Sequence, residues 1–75
     1  MSILKDLSRK LGLRIGYYRK MRSMSQEELA ERISCSVGYL AQLEAPLCKK
    51  LPSLPMLYTI ADNLGITVSE LLDFK

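Results

Sequence analysis

Seventy-five residues, 48% hydrophobic and 25% charged, suffice for one domain with an efficiently used core and are too apolar for a disordered tail. No run approaches the ~20 apolar residues that cross a bilayer, and Lys5 and Asp6 bring charge too early for an export signal, so a cytoplasmic chain with Cys35 and Cys48 both reduced is expected. With no histidine and no CxxC spacing, a structural zinc site is not expected, and no metal or cofactor is implied.

The first apolar stripe is Leu4, Leu7, Leu11, Ile15 and Tyr18, spaced by three or four residues as one face of a helix requires. Gly12 and Gly16 fall inside it, each costing roughly 1 kcal/mol of helix propensity. Residues 1–10 therefore read either as an extension of this first helix or as a separate arm, and 11–75 as the domain proper. Ser25 followed by Glu28 is a capping box, which starts a short helix over about 26–33 with Leu29, Ala30 and Ile33 as its apolar face. Ser34-Cys35-Ser36 interrupts it, and Ser36 suits the cap of a third helix over 37–44. On that helix Leu40 and Leu43 face one way, and Gly38, Ala41 and Gln42 face another. Ala45-Pro46 ends it, because proline disfavours helical geometry in the residue before it.

A loop over 45–53 carries Lys49 and Lys50. Ser53 then caps a fourth helix that tolerates Pro55 in its first turn and buries Leu54, Leu57, Ile60, Ala61 and Leu64. Gly65 stands where a helix end wants positive φ. Thr67 with Glu70 is a second capping box for a last short helix bearing Val68, Leu71 and Leu72. No strand-like alternation occurs. The fold class is all-α, with five helices.

The net charge of +3 is unevenly spread. Residues 1–22 carry Lys5, Arg9, Lys10, Arg14, Arg19, Lys20 and Arg22 against Asp6 alone, whereas residues 23–48 set Arg32 against Glu27, Glu28, Glu31 and Glu44. Such asymmetry is compatible with a polyanionic partner, although many solvated helical faces look the same. Two short helices within the twenty residues 25–44 say more. A turn of about three residues makes them cross steeply, leaving the second free to enter a major groove about 12 Å wide.

Five segments carry a family resemblance. They are Leu11-Gly12-x-Arg14-Ile15-x-x-x-Arg19; Ser25-Gln26-Glu27-Glu28-Leu29-Ala30-Glu31-Arg32-Ile33; Ser36-x-x-Tyr39-Leu40-x-Gln42-Leu43-Glu44; Pro52-Ser53-Leu54; and Leu64-Gly65-Ile66-Thr67-Val68-Ser69-Glu70-Leu71-Leu72. In this order the chain resembles the small bacterial and phage regulators of the lambda-repressor/Cro-like (XRE) type, over about residues 11–72. The resemblance implies a five-helix, lambda-repressor-like helix-turn-helix domain.

It also implies roles for single residues. Ser25 and Gln26 stand at a helix start, where the family clamps phosphate with this glutamine; a solvated Gln is the alternative. Ser36 is expected to cap helix three and is a candidate to touch phosphate as well. Val37, Gly38 and Gln42 occupy base-reading positions, Gln42 being able to pair bidentately with adenine. Gly38 reads nothing by side chain, which implies partly shape-based readout. Tyr39 either bonds phosphate through its hydroxyl or packs on the domain. Lys49 and Lys50 suit flanking phosphates, or are simply a solvated loop pair. Arg19 and Glu44 are expected to form an internal ion pair, the alternative being two exposed charges.

The function implied is a sequence-specific, double-stranded DNA-binding transcriptional regulator, a repressor or controller associated with the nucleoid. It is expected to be a homodimer, because a single short domain reads only a half-site. Val68, Leu71, Leu72 and Phe74 are the expected self-association surface. The alternative is a protein-interaction module or antitoxin retaining the fold, since fold does not fix function. An enzyme is not expected: there is no histidine, no phosphate-cradling glycine loop, and no general base at readable spacing from Ser or Cys.

Overall fold

A computed structural model describes residues 3–47 and 50–74 of the chain. The starts of the four helices after the first are fixed by hydroxyls. Ser25 Oγ accepts the Glu28 amide at 3.0 Å while Glu28 Oε1 takes the Ser25 amide at 3.3 Å, and Thr67 and Glu70 repeat the exchange at 3.0 and 3.1 Å. Ser36 and Ser53 accept from the amides of Tyr39 and Met56. Each such bond satisfies an amide that the first turn of a helix leaves unpaired. The elements that result are α1 (Ile3–Met21), α2 (Gln26–Arg32), α3 (Val37–Glu44), α4 (Leu54–Leu64) and α5 (Val68–Leu71), with no strand among the described residues.

Three helix ends share one device. After α4 the chain turns left-handed at Gly65 (φ 71°), and the amides of Gly65 and Ile66 reach back to Asp62 O and Ala61 O. The same paired bonds close α1 through Ser23 and Met24, and α2 through Ser34 and Cys35. There the left-handed residue is a serine, Ser23 at φ 55° and Ser34 at φ 59°. This is the Schellman ending, in which glycine is the usual occupant because it alone has no Cβ to crowd the carbonyl.

The core is built from Leu11 and Ile15 of α1, Leu29 and Ala30 of α2, Ile33 of the turn that follows, Leu40 and Leu43 of α3, Ile60, Ala61 and Leu64 of α4, and Leu71 of α5. Helix α1 packs against α3, α4 and α5, and α3 also packs against α2. It runs unbroken from Ile3, so residues 3–10 extend it rather than forming a separate arm. Arg14 fastens its middle to the far end of the chain, donating to the carbonyls of Leu71 and Glu70 and to the Tyr18 hydroxyl. Those carbonyls close a short helix, where a cation also meets the negative end of the peptide dipoles.

Several expectations need correction. Leu4 and Leu7 continue the apolar stripe of α1 but are exposed, whereas Ser8 beside them is buried. Leu54 is 62% exposed rather than core: it opens α4 on the outside, Met56 and Leu57 are half-buried against the core, and full burial is reached at Ile60. The proposed self-association surface is mostly interior. Leu71 is fully buried, and Val68 and Phe74 pack against the core, leaving Leu72 as the exposed member. A helix of four residues has too few side chains to serve both a core and a partner. Cys35 is a half-buried free thiol, its pKa raised by burial; Cys48 and Lys49 lie outside the described residues.

Candidate nucleic-acid interface

The turn between α2 and α3 is Ile33, Ser34, Cys35 and Ser36. Its geometry is fixed by the left-handed Ser34, the buried Ile33 and the Ser36 cap. Leu40 and Leu43 are buried on the inner side of α3. On its outer side Val37, Gly38, Ala41 and Gln42 are exposed, a continuous stripe at i, i+1, i+4 and i+5. Ala41 is not among the candidates that the resemblance implies, although helical periodicity already groups it with Gly38 and Gln42. The stripe is nearly flat, because Val37, Gly38 and Ala41 carry little side-chain bulk.

The end of α3 is locked onto α1. Gly12 allows it: a Cβ there would sit on the Leu43 carbonyl oxygen and 3.2 Å from Glu44 Cα. Glu44 is then gripped by Arg19 in a two-point fork, Nε to Oε2 and Nη2 to Oε1 both at 2.9 Å, while Nη1 donates to Met24 O at 2.8 Å. Both side chains retain only 9% exposure. The hydrogen-bonded carboxylate holds the guanidinium proton more firmly than usual, pushing the Arg19 pKa up. Bidentate geometry of this kind fixes direction as well as distance. Among the described residues no buried side-chain polar atom lacks a partner.

Glu44 also takes a hydrogen bond from Gln26 Nε2 at 3.1 Å, so one carboxylate orients both Arg19 and the first residue of α2. Nothing in the eighteen-residue separation announced that link. An amide nitrogen carries two N–H groups, so Gln26 has a second donor beyond the one spent on Glu44. Ser25 and Ser36 are exposed with their hydroxyl oxygens engaged as caps. Tyr39 is half-buried with its side chain packed against the core. Gln42 is exposed, and its Oε1 accepts from Lys50 Nζ at 3.1 Å.

The basic residues near the N-terminus are less available than their number suggests. Arg9 and Lys10 both pair with Asp6, whose carboxyl is held below its usual pKa by these two neighbours. Arg14 caps α5, Arg19 holds Glu44, and Arg22 reaches Gly65 O at 3.4 Å. Most of the charge asymmetry is thus spent on intramolecular contacts. No group of three metal-ligating side chains occurs among the described residues, and no helix among them is long and apolar enough to cross a membrane.

Comparison with known proteins agrees with this geometry. A family model described as helix-turn-helix matches residues 15–71. The immunity repressor protein of Bacillus phage phi105 is 40% identical over 62 residues, covering 83% of this chain and 42% of that protein. The HTH-type transcriptional regulator SinR of Bacillus subtilis is 37% identical over 65 residues, covering 87% of this chain and 58% of SinR. The chain therefore spans about half the length of these curated relatives. The crystal structure of SinR, the master regulator for biofilm formation, in complex with DNA superposes with a TM-score of 0.76 at 35% identity, over 84% of this chain and 98% of that one.

Proposed function

The chain belongs to the lambda-repressor-like helix-turn-helix family, and from that premise we propose that it is a sequence-specific transcriptional regulator that lays α3 in the major groove of double-stranded DNA. The observation that carries this reading is the exposed stripe Val37, Gly38, Ala41 and Gln42 on a helix whose other side is buried and whose end is locked by Glu44 and Arg19. A reading helix must be both accessible and rigidly aimed. Gln42 supplies hydrogen bonds to base edges, Val37 offers apolar contact to a thymine methyl, and the missing side chain of Gly38 lets the helix approach closely. Gln26, held by Glu44, directs its second N–H at a phosphate, and Ser25, Ser36 and Tyr39 are further candidates for backbone contact. Lys50 brings positive charge to the segment after α3, and Lys49, its neighbour in sequence, is a further candidate for a flanking phosphate.

Family and fold are those of DNA-binding regulators, and we assign no catalytic activity, metal or cofactor. Two copies acting on a near-palindrome, with reading helices ~34 Å apart, would double a short half-site. A cytoplasmic, nucleoid-associated location follows from that role. The relatives named as a repressor and a transcriptional regulator support a repressor or controller. A second reading, a module that binds a protein partner, is favoured by the exposed Ile3, Leu4, Leu7, Leu51 and Leu72.

Selection of bound duplexes from a random library, repeated at raised salt and with Gln42→Ala, tests the proposal. An enriched near-palindrome that survives salt and blurs at one position in Gln42→Ala is the expected result. Binding without enrichment that collapses with salt would mean backbone contact alone. Absence of binding would leave the protein-partner reading.

A further inference from the structure

The hydrogen-bonding character of the α3 stripe is set by two residues. Val37, Gly38 and Ala41 have no polar side-chain atom, so on this stripe Gln42 is the group that can hydrogen-bond a base edge. Lys50, from the segment between α3 and α4, donates to its carboxamide oxygen at 3.1 Å. An ammonium has donors only, so the atom facing it is the oxygen, and the amide nitrogen is turned away with its two N–H groups. That fixes a choice which an isolated glutamine leaves open.

A lone glutamine matches adenine because it offers a donor to N7 and an acceptor to the N6 amino group. Here the acceptor already holds a cation. Its second lone pair lies beside a full positive charge, which opposes the approach of an amino donor. Guanine presents two acceptors, N7 and O6, along the same edge. The Gln42 amide N–H groups suit one of them, and the Lys50 charge attracts the other.

We propose that Lys50 is a specificity-determining residue, and that Gln42 and Lys50 together read guanine where Gln42 alone would read adenine. This replaces the expectation of bidentate adenine pairing, and it rests on the reading of α3 as the groove helix. It also moves Lys50 from a phosphate contact to a base contact.

The test is duplex selection with the native protein, Gln42→Ala, Lys50→Met and Lys50→Arg. Lys50 is exposed, so thermal melts of its two variants should match the native protein. Gln42→Ala identifies the base position concerned. The native protein should enrich guanine there, and Lys50→Met, which keeps the apolar stem and loses the charge, should shift the guanine-to-adenine ratio about tenfold or more toward adenine. Lys50→Arg, still a donor-only cation, should keep guanine. Adenine enriched by the native protein, or the same base enriched by native protein and Lys50→Met, overturns the pairing while leaving α3 as the reader. No enrichment by any of the four overturns both.

Discussion

An added methyl group distinguishes what two glycines do. At Gly12 the Cβ collides with the Leu43 backbone where α3 crosses α1, so Gly12→Ala should destabilise the domain by about 1–3 kcal/mol in chemical denaturation. At Gly38, in the first turn of α3, the nearest atom is Ser36 Oγ at 3.9 Å, and alanine is preferred over glycine in a helix by up to roughly 1 kcal/mol in its interior and less near its start, so Gly38→Ala should stabilise the fold modestly. On the proposed reading of α3 it should nevertheless weaken DNA binding, because the methyl would stand on the face laid in the groove. Opposite signs in stability and affinity from one substitution separate the binding role of Gly38 from a structural one. Ser34 offers a third case. Its left-handed backbone carries a Cβ that glycine would lack, so Ser34→Gly should gain about 1 kcal/mol and raise the melting temperature by several degrees. An unchanged or lower melting temperature would contradict that account of the turn.

The helices themselves were the most legible part of the sequence. Capping boxes at Ser25 and Thr67 and the glycine at position 65 mark boundaries by local chemistry, and the observed ends agree with them. Ser23 and Ser34 were not legible as left-handed residues, because serine signals a helix start far more often than a positive φ. Leu54 was misplaced because periodicity gives the face of a helix but not how far its neighbours reach along it. The links that aim the site, Gln26 to Glu44 and Lys50 to Gln42, join residues whose spacing carries no pattern. Between elements, the Arg19–Glu44 fork is the joint that holds α3 to α1. Arg19→Met alone leaves a nearly buried carboxylate without its counter-charge, held by Gln26 alone, and should cost ~3–5 kcal/mol, a large part of the stability of so small a domain. Arg19→Met combined with Glu44→Leu should be markedly milder, and equal losses from the single and double variants would argue that packing rather than charge is at stake. Asp6 lies at the other end of α1. Its depressed pKa means that its pairing with Arg9 and Lys10 persists above the usual carboxylate range and is lost as pH falls through the folded-state value. An NMR titration should place its midpoint below 3.8.

For the molecule as a whole, the location of charge matters more than its amount. With Arg9, Lys10, Arg14, Arg19 and Arg22 engaged internally, few of the cations implied by the sequence are set to neutralise phosphate. The logarithm of affinity should therefore fall with salt as expected for only a few displaced counterions per half-site, near −0.9 for each phosphate neutralised. The exposed apolar side chains around Leu7, Leu51 and Leu72 lie on elements other than α3, so a partner or a second copy seated there would leave the reading face open. The central claim, that the outer stripe of α3 is the surface that meets DNA, is tested most directly by amide chemical-shift mapping during titration with a selected duplex. The account predicts the largest shifts at Gln26, Val37, Gly38, Ala41 and Gln42, with Ile3, Leu4 and Leu72 little moved. Shifts concentrated at Ile3, Leu4, Leu51 and Leu72, with α3 silent, would contradict it.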